Sequence, residues 1–128
     1  MKFEQYNISP LIKQSLADLG FKKPTDIQFK AIPSILKGDD VLGIAQTGTG
    51  KTAAFAIPIL HLLMRRSHHN KYNQVKCLVM VPTRELAIQI AQVFKEIGKH
   101  TELSIMALVG GVEQAPQIKK VVEEEKKE

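Results

Sequence analysis

The stretch Ala45–Thr52, AQTGTGKT, decides the fold, because a glycine-rich loop of this kind has a physical role between a strand and a helix. The residues before it, Val41–Ala45 (VLGIA), form a short apolar run that predicts a buried strand. The residues after it, from Lys51 to about Arg66, alternate apolar and polar side chains at helical spacing. Glycines let successive backbone N–H groups converge on one anion, and a helix N-terminus adds its dipole. We therefore expect a phosphate-binding loop.

Two side chains of this loop carry the expected chemistry. Lys51 would neutralise the β- and γ-phosphates of a nucleotide, and the Thr52 hydroxyl would ligate Mg²⁺, so these two are the candidate catalytic residues. The strict pattern for such a loop has glycine where this chain has Ala45. The alternative is an ordinary glycine-rich turn without a ligand.

Two helices are expected before the loop. Ser9-Pro10 supplies an N-cap and a first helical residue, and Gly20 follows the expected end of that helix. A second helix starts at Pro24-Thr25. We expect Pro33 to break or kink this helix, since proline lacks a backbone N–H, and Gly38 to end it.

The rest of the chain continues the alternation of strand and helix. Val75–Val81 (VKCLVMV) has the β-branched and apolar composition of a covered strand, and Ser104–Val109 is a third candidate strand. Between them lies an expected helix, Arg84–Lys99, with an inward-facing stripe of Leu86, Ile90, Val93, Phe94 and Ile97. This order predicts an α/β fold in which helices flank a parallel sheet.

Length and composition restrict the class of protein. The chain has 128 residues, the usual size of one domain, and a single cysteine, which indicates a reducing compartment. It contains no apolar stretch of membrane-spanning length and no signal peptide at its start, so we expect a cytoplasmic protein. We interpret Cys77 as an inert core residue, His68 and His69 as solvated, and His61 and His100 as lacking an evident partner.

Positive charge is concentrated around the loop. The net charge is +5, and residues 41–84 contain no acidic residue. Their six basic residues are Lys51, Arg65, Arg66, Lys71, Lys76 and Arg84. Such a field favours polyanions such as nucleotides or RNA, although a solvated basic face without a ligand is the open alternative.

Four motifs in order resemble those of the DEAD-box RNA helicases. AQTGTGKT is similar to their phosphate loop, in which alanine at the Ala45 position is usual. Gly20–Gln28 (GFKKPTDIQ) resembles their adenine-reading Q motif, with Phe3 as the upstream aromatic residue. Pro82–Ala87 (PTRELA) is similar to motif Ia, and Gly110-Gly111 to the glycine doublet that follows.

This resemblance extends from about Phe3 to Ile118 and implies an incomplete P-loop NTPase fold of the RecA-like type. Residues 1–118 would be the N-terminal portion of the first helicase domain, and residues 119–128 a charged C-terminal end. The implied cofactors are ATP and Mg²⁺, with Thr52 as the metal-binding residue. The implied nucleotide-binding residues are Phe21, Lys23, Thr25, Gln28, Gln46, Thr47, Gly48, Thr49, Gly50, Lys51, Thr52 and Ala53. The implied RNA-binding residues are Pro82, Thr83, Arg84, Gly110 and Gly111.

The chemistry of Gln28 agrees with this resemblance. Its carbonyl and amide groups can pair with the N6 donor and the N7 acceptor of adenine, a combination that guanine does not offer. The resemblance implies that Phe21 stacks on the adenine ring. The alternative is that Phe21 belongs to the core and Gln28 is a solvated helix residue.

Nucleotide hydrolysis requires groups that this sequence lacks. No aspartate stands at the end of a predicted strand, and the later motifs and the second domain of the family are missing. We therefore expect the chain to bind nucleotide without turning it over, as part of a helicase that couples ATP hydrolysis to RNA strand separation. Two alternatives remain open, a non-enzymatic module that binds adenine nucleotide or RNA and a small kinase.

Overall fold

The computed structural model of the chain describes residues 2–44, 50–67 and 75–110. Within these ranges it contains a 3-10 turn, Phe3–Gln5, and four α-helices. The helices are α1 (Pro10–Asp18), α2 (Asp26–Leu36), α3 (Lys51–Ser67) and α4 (Arg84–Ile97). The predictions for Ala45–Thr49, His68 and His69, and for Gly111 to the C-terminus lie outside the described residues.

Helix α1 begins and ends as its sequence predicts. The Ser9 hydroxyl accepts a hydrogen bond from the Leu11 N–H at 3.2 Å, and Pro10 is the first helical residue. After the last helical residue, Asp18, the chain turns through Gly20 with a φ of +80°, a conformation that favours glycine. The N-cap and the glycine stop are confirmed.

Helix α2 corrects one expectation. Thr25 is its N-cap and Gly38, with a φ of +89°, follows its end, as predicted. Pro33 does not break the helix, which continues to Leu36. A proline removes one backbone donor, whereas the carbonyl of Pro33 still accepts from the Lys37 N–H at 3.2 Å. The turns on both sides of Pro33 therefore remain helical.

Helix α4 packs through its C-terminal half. It starts at Arg84, where the Thr83 hydroxyl caps the Leu86 N–H at 3.2 Å, and it ends at Ile97, two residues before the predicted end. Phe94 and Ile97 are buried, but Leu86 is 39% exposed, so its inward placement was wrong. Leu86 belongs to the first turn, which follows the exposed residues 82–84 rather than the core.

The core surrounds α3. Ile57 and Leu60 of this helix are almost fully buried, and the rings of Phe55 and Phe94 lie 5.9 Å apart between α3 and α4. The core residues nine-tenths or more buried are Phe3, Tyr6, Ile8, Ile12, Leu16, Ile32, Ala53, Ala56, Ile57, Leu60, Phe94 and Ile97. Every helix and the 3-10 turn contribute to this cluster, so it fixes the helices relative to one another.

The three predicted strands are not formed in the part of the chain that the structure describes. We call residues 41–44, 75–81 and 103–109 the apolar segments; they are neither helical nor paired into a strand. Leu42, Leu78 and Met80 are 89%, 77% and 85% exposed. Cys77 is also exposed, so its assignment to the core was wrong, although partial desolvation raises the pKa of its thiol. A strand is defined by a ladder of hydrogen bonds with a neighbouring strand, and no such ladder is formed among the described residues.

Across residues 2–44, 50–67 and 75–110, no helix combines the length and the apolar composition needed to cross a bilayer.

Candidate functional site

The start of α2 meets the start of α3 through one glutamine. Gln28 is only 4% exposed. Its Oε1 accepts a hydrogen bond from the Thr25 N–H at 3.0 Å, and its Nε2 donates to the Gly50 carbonyl at 3.2 Å. Gln28 is therefore a buried link between the predicted adenine-binding motif and the last glycine of the phosphate loop, and not the solvated residue of the alternative interpretation.

Gly50 is a position that only glycine fits. Its φ is +81°, in the left-handed region, and a Cβ there would overlap the Gln28 amide and contact the Thr25 methyl group. The Gly50 carbonyl also accepts the Ala54 N–H at 3.1 Å and so starts the hydrogen bonding of α3. The glycine thus lets the loop approach Gln28 closely while the helix begins.

The first turn of α3 presents the remaining described loop residues. Lys51 is exposed, Thr52 is half-buried and Ala53 is buried. This turn has no acidic residue that would repel a phosphate or compete with it for the unpaired N–H groups. A long cationic side chain and a hydroxyl therefore stand beside the positive end of a helix dipole, an arrangement that suits phosphate oxygens.

The aromatic side of the predicted nucleotide site is held by the N-terminal turn. The Phe3 N–H donates to the Lys22 carbonyl at 3.2 Å, and the rings of Phe3 and Phe21 lie 6.4 Å apart. Phe3 is buried, whereas Phe21 is 39% exposed and so does not belong to the core. Lys23 and Thr25, which follow in the same motif, are exposed as well.

The predicted RNA-binding residues lie in a different place. Pro82, Thr83 and Arg84 line a cavity of about 680 Å³ together with Gly110. Helix α4 and the apolar segments from residues 75 and 103 form the walls of this cavity. The Arg84 side chain is half-exposed and lies 3.9 Å from the Glu85 carboxylate, a surface pair of little energy. The structure therefore brings residues 82–84 and Gly110 together in one cavity. Neither Gln28 nor Gly50 lines this cavity. Glu85 is a first-turn residue of α4.

Two histidines have partners that the sequence did not reveal. The Ser9 N–H donates to His61 Nδ1 at 3.0 Å, and burial, helped by Arg65, lowers the pKa of His61. His100 Nε2 lies 3.0 Å from Asp18, and its hydrogen bond, with that of Lys99, lowers the pKa of this carboxyl group. The partners are 52 and 82 residues apart, so no local spacing could have indicated them.

The structure offers little from which to build an all-protein metal site. In its described ranges, no three His, Cys, Asp or Glu side chains are grouped as metal ligands. Thr52 supplies one hydroxyl, a hard oxygen of the kind that Mg²⁺ accepts when phosphates and water complete its coordination. The donor set thus fits a magnesium ion that arrives with a nucleotide.

Comparison with known proteins agrees with these features. The family model for DEAD/DEAH box helicases matches residues 25–127. The chain is 43% identical, over 94% of its length, to DEAD-box ATP-dependent RNA helicase 36 of Arabidopsis thaliana, of which it covers 23%. It is 44% identical, over 87% of its length, to ATP-dependent RNA helicase SrmB of Haemophilus influenzae, of which it covers 25%.

A solved structure gives the same result. A DEAD box protein from the hyperthermophile Methanococcus jannaschii superposes with a TM-score of 0.84 and 39% identity, over 94% of this chain and 32% of that one. The chain thus spans about a quarter of the length of the two curated relatives named above. The motifs, the helix order and these matches agree, and the chain belongs to the DEAD/DEAH box helicase family.

Proposed function

We propose that this chain is the adenine-nucleotide-binding part of an ATP-dependent RNA helicase. The observation that carries the proposal is the hydrogen bond from Gln28 to Gly50, which joins the predicted adenine reader to the phosphate loop. Both relatives named above are described as ATP-dependent RNA helicases. The activity of the longer protein, with its RNA substrate and its second domain, belongs to the proposal.

We infer that Gln28 reads adenine with the groups that its contacts within the chain leave unused. Its carbonyl oxygen has two lone pairs and its amide has two N–H groups, and the contacts with Thr25 and Gly50 use one of each. The unused lone pair and N–H match the N6 donor and the N7 acceptor of adenine. Phe21, exposed and braced by Phe3, supplies an aromatic face for stacking, with Lys23 and Thr25 beside it.

The phosphates would follow the loop from adenine toward α3. Lys51 neutralises the β- and γ-phosphates, while Gly50, Thr52 and Ala53 offer the N–H groups of the first turn. Residues Gln46–Thr49 complete the proposed cradle. Mg²⁺, when bound, supplies charge neutralisation, and the Thr52 hydroxyl is the side chain that would hold it.

RNA is assigned to the start of α4. The Thr83 hydroxyl uses an acceptor position to cap Leu86, which leaves its O–H free to donate to a phosphate. Arg84 adds a positive charge, and Pro82 and Gly110 border the same cavity, with Gly111 as the next residue of the proposed contact. These contacts are to phosphates, so they position a strand without reading its sequence.

We also propose that this chain does not turn ATP over by itself. The predicted strands after the loop end in Pro82-Thr83-Arg84 and Gly110-Gly111, and neither end supplies the aspartate that helps to hold Mg²⁺. The same proposal assigns residues 1–118 to the first helicase domain, with its apolar segments paired as strands of a parallel sheet in the longer protein. Residues 119–128 are the charged end of this chain.

Calorimetry with ADP and Mg²⁺ tests the nucleotide site. We expect the chain to bind ADP and Lys51→Ala to weaken binding by at least about tenfold, because it removes the phosphate-neutralising charge. Lys37→Ala is the matched control, because this substitution removes the same charge. Lys37 is exposed and follows the C-terminal end of α2, whereas Gln28 lies at the start of this helix. Equal affinity of the three proteins would refute the assignment of Lys51.

The same proteins separate the helicase part from a catalytic unit. We expect phosphate release from ATP, with and without RNA, to be the same for the wild type and Lys51→Ala. RNA-stimulated turnover by the wild type that Lys51→Ala abolishes would contradict the absence of turnover. Binding without turnover fits both the proposed role and a non-enzymatic binding module, and the family membership favours the former.

A further inference from the structure

One side chain of α3 adds a polar contact to the apolar packing that holds the N-terminal residues in the core. The Ser9 N–H donates to His61 Nδ1 at 3.0 Å, across 52 residues of sequence. An imidazole nitrogen accepts a hydrogen bond only when it carries no proton, so the His61 ring is neutral, with its proton on Nε2. Ser9 is also the N-cap of α1, and this contact satisfies the backbone donor that precedes the helix.

The surroundings of this contact favour the neutral ring. His61 is half-buried, next to Leu60 in sequence, and the flanking residues Ile8 and Leu60 are 5% and 1% exposed. Desolvation in this environment lowers the pKa of His61, and the positive charge of Arg65, one turn further along α3, lowers it as well. A proton would thus enter a site that resists it and would remove the acceptor at the same time.

No carboxylate among the described residues pairs with His61 to compensate for such a charge. On the N-terminal side, the Glu4 side chain is exposed, the Lys13 ammonium donates to the Glu4 backbone carbonyl at 2.9 Å, and Asp18 pairs with Lys99 and His100. Helices α2 and α4 also pack on α3. The charged residues of α2, Asp26 and Lys30, are exposed. In α4, Arg84 and Glu85 pair with each other, Glu96 accepts from Gln92, and Lys95 is exposed.

The tethered residues lead to the nucleotide site. Residues 3–20, the N-terminal segment, contain the turn that carries Phe3 and the whole of α1. Phe3 contacts the ring of Phe21 and donates to Lys22, and the Phe21 N–H donates to the Leu16 carbonyl at 2.8 Å. Two parts of the N-terminal segment, the turn with Phe3 and the end of α1, therefore hold Phe21 in position.

We propose that His61 is a proton-sensitive positioning residue, which strengthens the attachment of the N-terminal segment to α3 when its ring is neutral and weakens that attachment when the ring is protonated. The weaker attachment would loosen Phe21 and so weaken adenine binding on acidification. We call the Ser9–His61 hydrogen bond the latch. Its effect on nucleotide affinity rests on the proposed function.

The direction of the pH effect follows from the lowered pKa. The folded protein holds His61 neutral below the ordinary histidine pKa of about 6.5, whereas the unfolded or released segment binds the proton there. The latch is therefore fully effective above about pH 6.5. It weakens as the pH falls from 6.5 toward the pKa of the folded state and changes no further below it.

Amide hydrogen exchange of the full chain between pH 7.5 and 5 tests the latch, with His61→Gln as the matched variant. Glutamine offers an acceptor oxygen but does not titrate in this range, and the variant retains the other three histidines. Comparison at each pH cancels the intrinsic dependence of exchange on pH. We expect protection of residues 3–20 in the wild type to fall, relative to His61→Gln, by up to about tenfold per pH unit below 6.5.

A second variant checks the contact itself. His61→Leu removes the acceptor and places an apolar side chain of similar size at this position. Residues 3–20 of this variant should lose protection from amide exchange at pH 7.5 and show little further change on acidification. Equal pH profiles for the wild type and His61→Gln would overturn the proposal. Wild-type protection in His61→Leu at pH 7.5 would do the same.

Nucleotide affinity supplies the functional arm. We expect the ratio of ADP affinities, His61→Gln over wild type, to be near one at pH 7.5 and to rise several-fold at pH 5.5. If exchange shows the latch but ADP does not bind at either pH, the proposed function fails and the latch stands. If ADP binds and the exchange profiles coincide, the latch fails and the proposed function stands.

Discussion

The junction of α2 and α3 differs from the apolar segments in how its groups are satisfied. At the junction, Gln28 is buried and both of its polar groups are hydrogen-bonded, and Leu60 of the adjoining core is 1% exposed. In the apolar segments, Leu42 and Met80 are 89% and 85% exposed. The first region is packed and hydrogen-bonded within the described chain, whereas Leu42 and Met80 present apolar side chains to solvent.

The difference shows what each kind of secondary structure needs. A helix makes its backbone hydrogen bonds within itself and then buries one face. The four helices can therefore form from local sequence, and α1, α2 and α4 pack on α3. A strand needs a neighbour for every ladder bond. Apolar composition alone, as in Val75–Val81, therefore does not fix a strand until other strands are present.

The largest expected effect separates the two regions by one matched substitution. Leu60→Ala removes a fully buried side chain and should lower the free energy of unfolding by about 2–5 kcal/mol. Leu42→Ala removes an 89% exposed one and should change it by less than about 0.5 kcal/mol. Chemical denaturation of both variants measures the difference. A loss above 1 kcal/mol for Leu42→Ala, on the order of a core contribution, would mean that residues 41–44 are packed after all.

A glycine series sharpens the contrast at the junction. Gly50→Ala combines a left-handed φ with an overlap on Gln28 and should cost about 2–4 kcal/mol of unfolding free energy. Gly38→Ala has the same kind of φ but open space around it, and should cost about 1 kcal/mol. Gly110→Ala, with neither feature, should be close to neutral.

Thermal unfolding measures these losses. A loss of stability that is largest for Gly50→Ala, smaller for Gly38→Ala and smallest for Gly110→Ala would confirm the close approach of Gly50 to Gln28. Equal losses for Gly50→Ala and Gly38→Ala would show instead that only the backbone conformation matters at residue 50.

Sequence patterns predicted the features that local chemistry determines. The cap at Ser9 and the glycines at Gly20 and Gly38 follow from the hydrogen-bonding needs of helix ends, and all three were found. The family and its motifs were also predictable, because glycines and polar residues at fixed spacing carry a mechanism. The roles of the site residues stay predictions that the proposed experiments address.

Long-range contacts were beyond the sequence. The partners of His61 and Gln28 lie 52 and 22 residues away, and nothing in the local pattern distinguishes these polar residues from solvated ones. The continuation of α2 through Pro33 and the exposure of Leu86 and Cys77 depend on how the elements pack. Propensity alone cannot decide such cases.

A smaller effect is expected within the core. The Tyr6 hydroxyl is buried and has no hydrogen-bond partner among the residues that the structure describes, and this burial raises the pKa of Tyr6. Tyr6→Phe removes an unsatisfied polar group and should leave the unfolding free energy unchanged or raise it by up to about 1 kcal/mol. Phe94→Leu is the control for a general loss of aromatic packing and should destabilise. A clear loss in Tyr6→Phe would indicate that the hydroxyl is bonded.

The smallest expected effect is at the surface. His100 and Lys99 lower the pKa of Asp18, so the carboxylate adds stability above its ordinary pKa of 3.8 and loses it as the pH falls through the lower folded value. Asp18→Asn should therefore be slightly less stable than the wild type at pH 5, with the gap closing toward pH 2. High salt should reduce the gap as well, because the pair is exposed. A gap that widens on acidification would reverse this assignment.

The central claim is that Gln28 and the first turn of α3 form one adenine-nucleotide site. Titration of the labelled chain with ADP and Mg²⁺, followed by amide NMR, tests it most directly. We expect the largest shifts at the Gln28 side-chain amide and at the backbone amides of Gly50–Thr52, and weaker changes with GDP. Shifts confined to the cavity of residues 75–84 and 103–110, or the same response to ADP and GDP at Gln28, would contradict it.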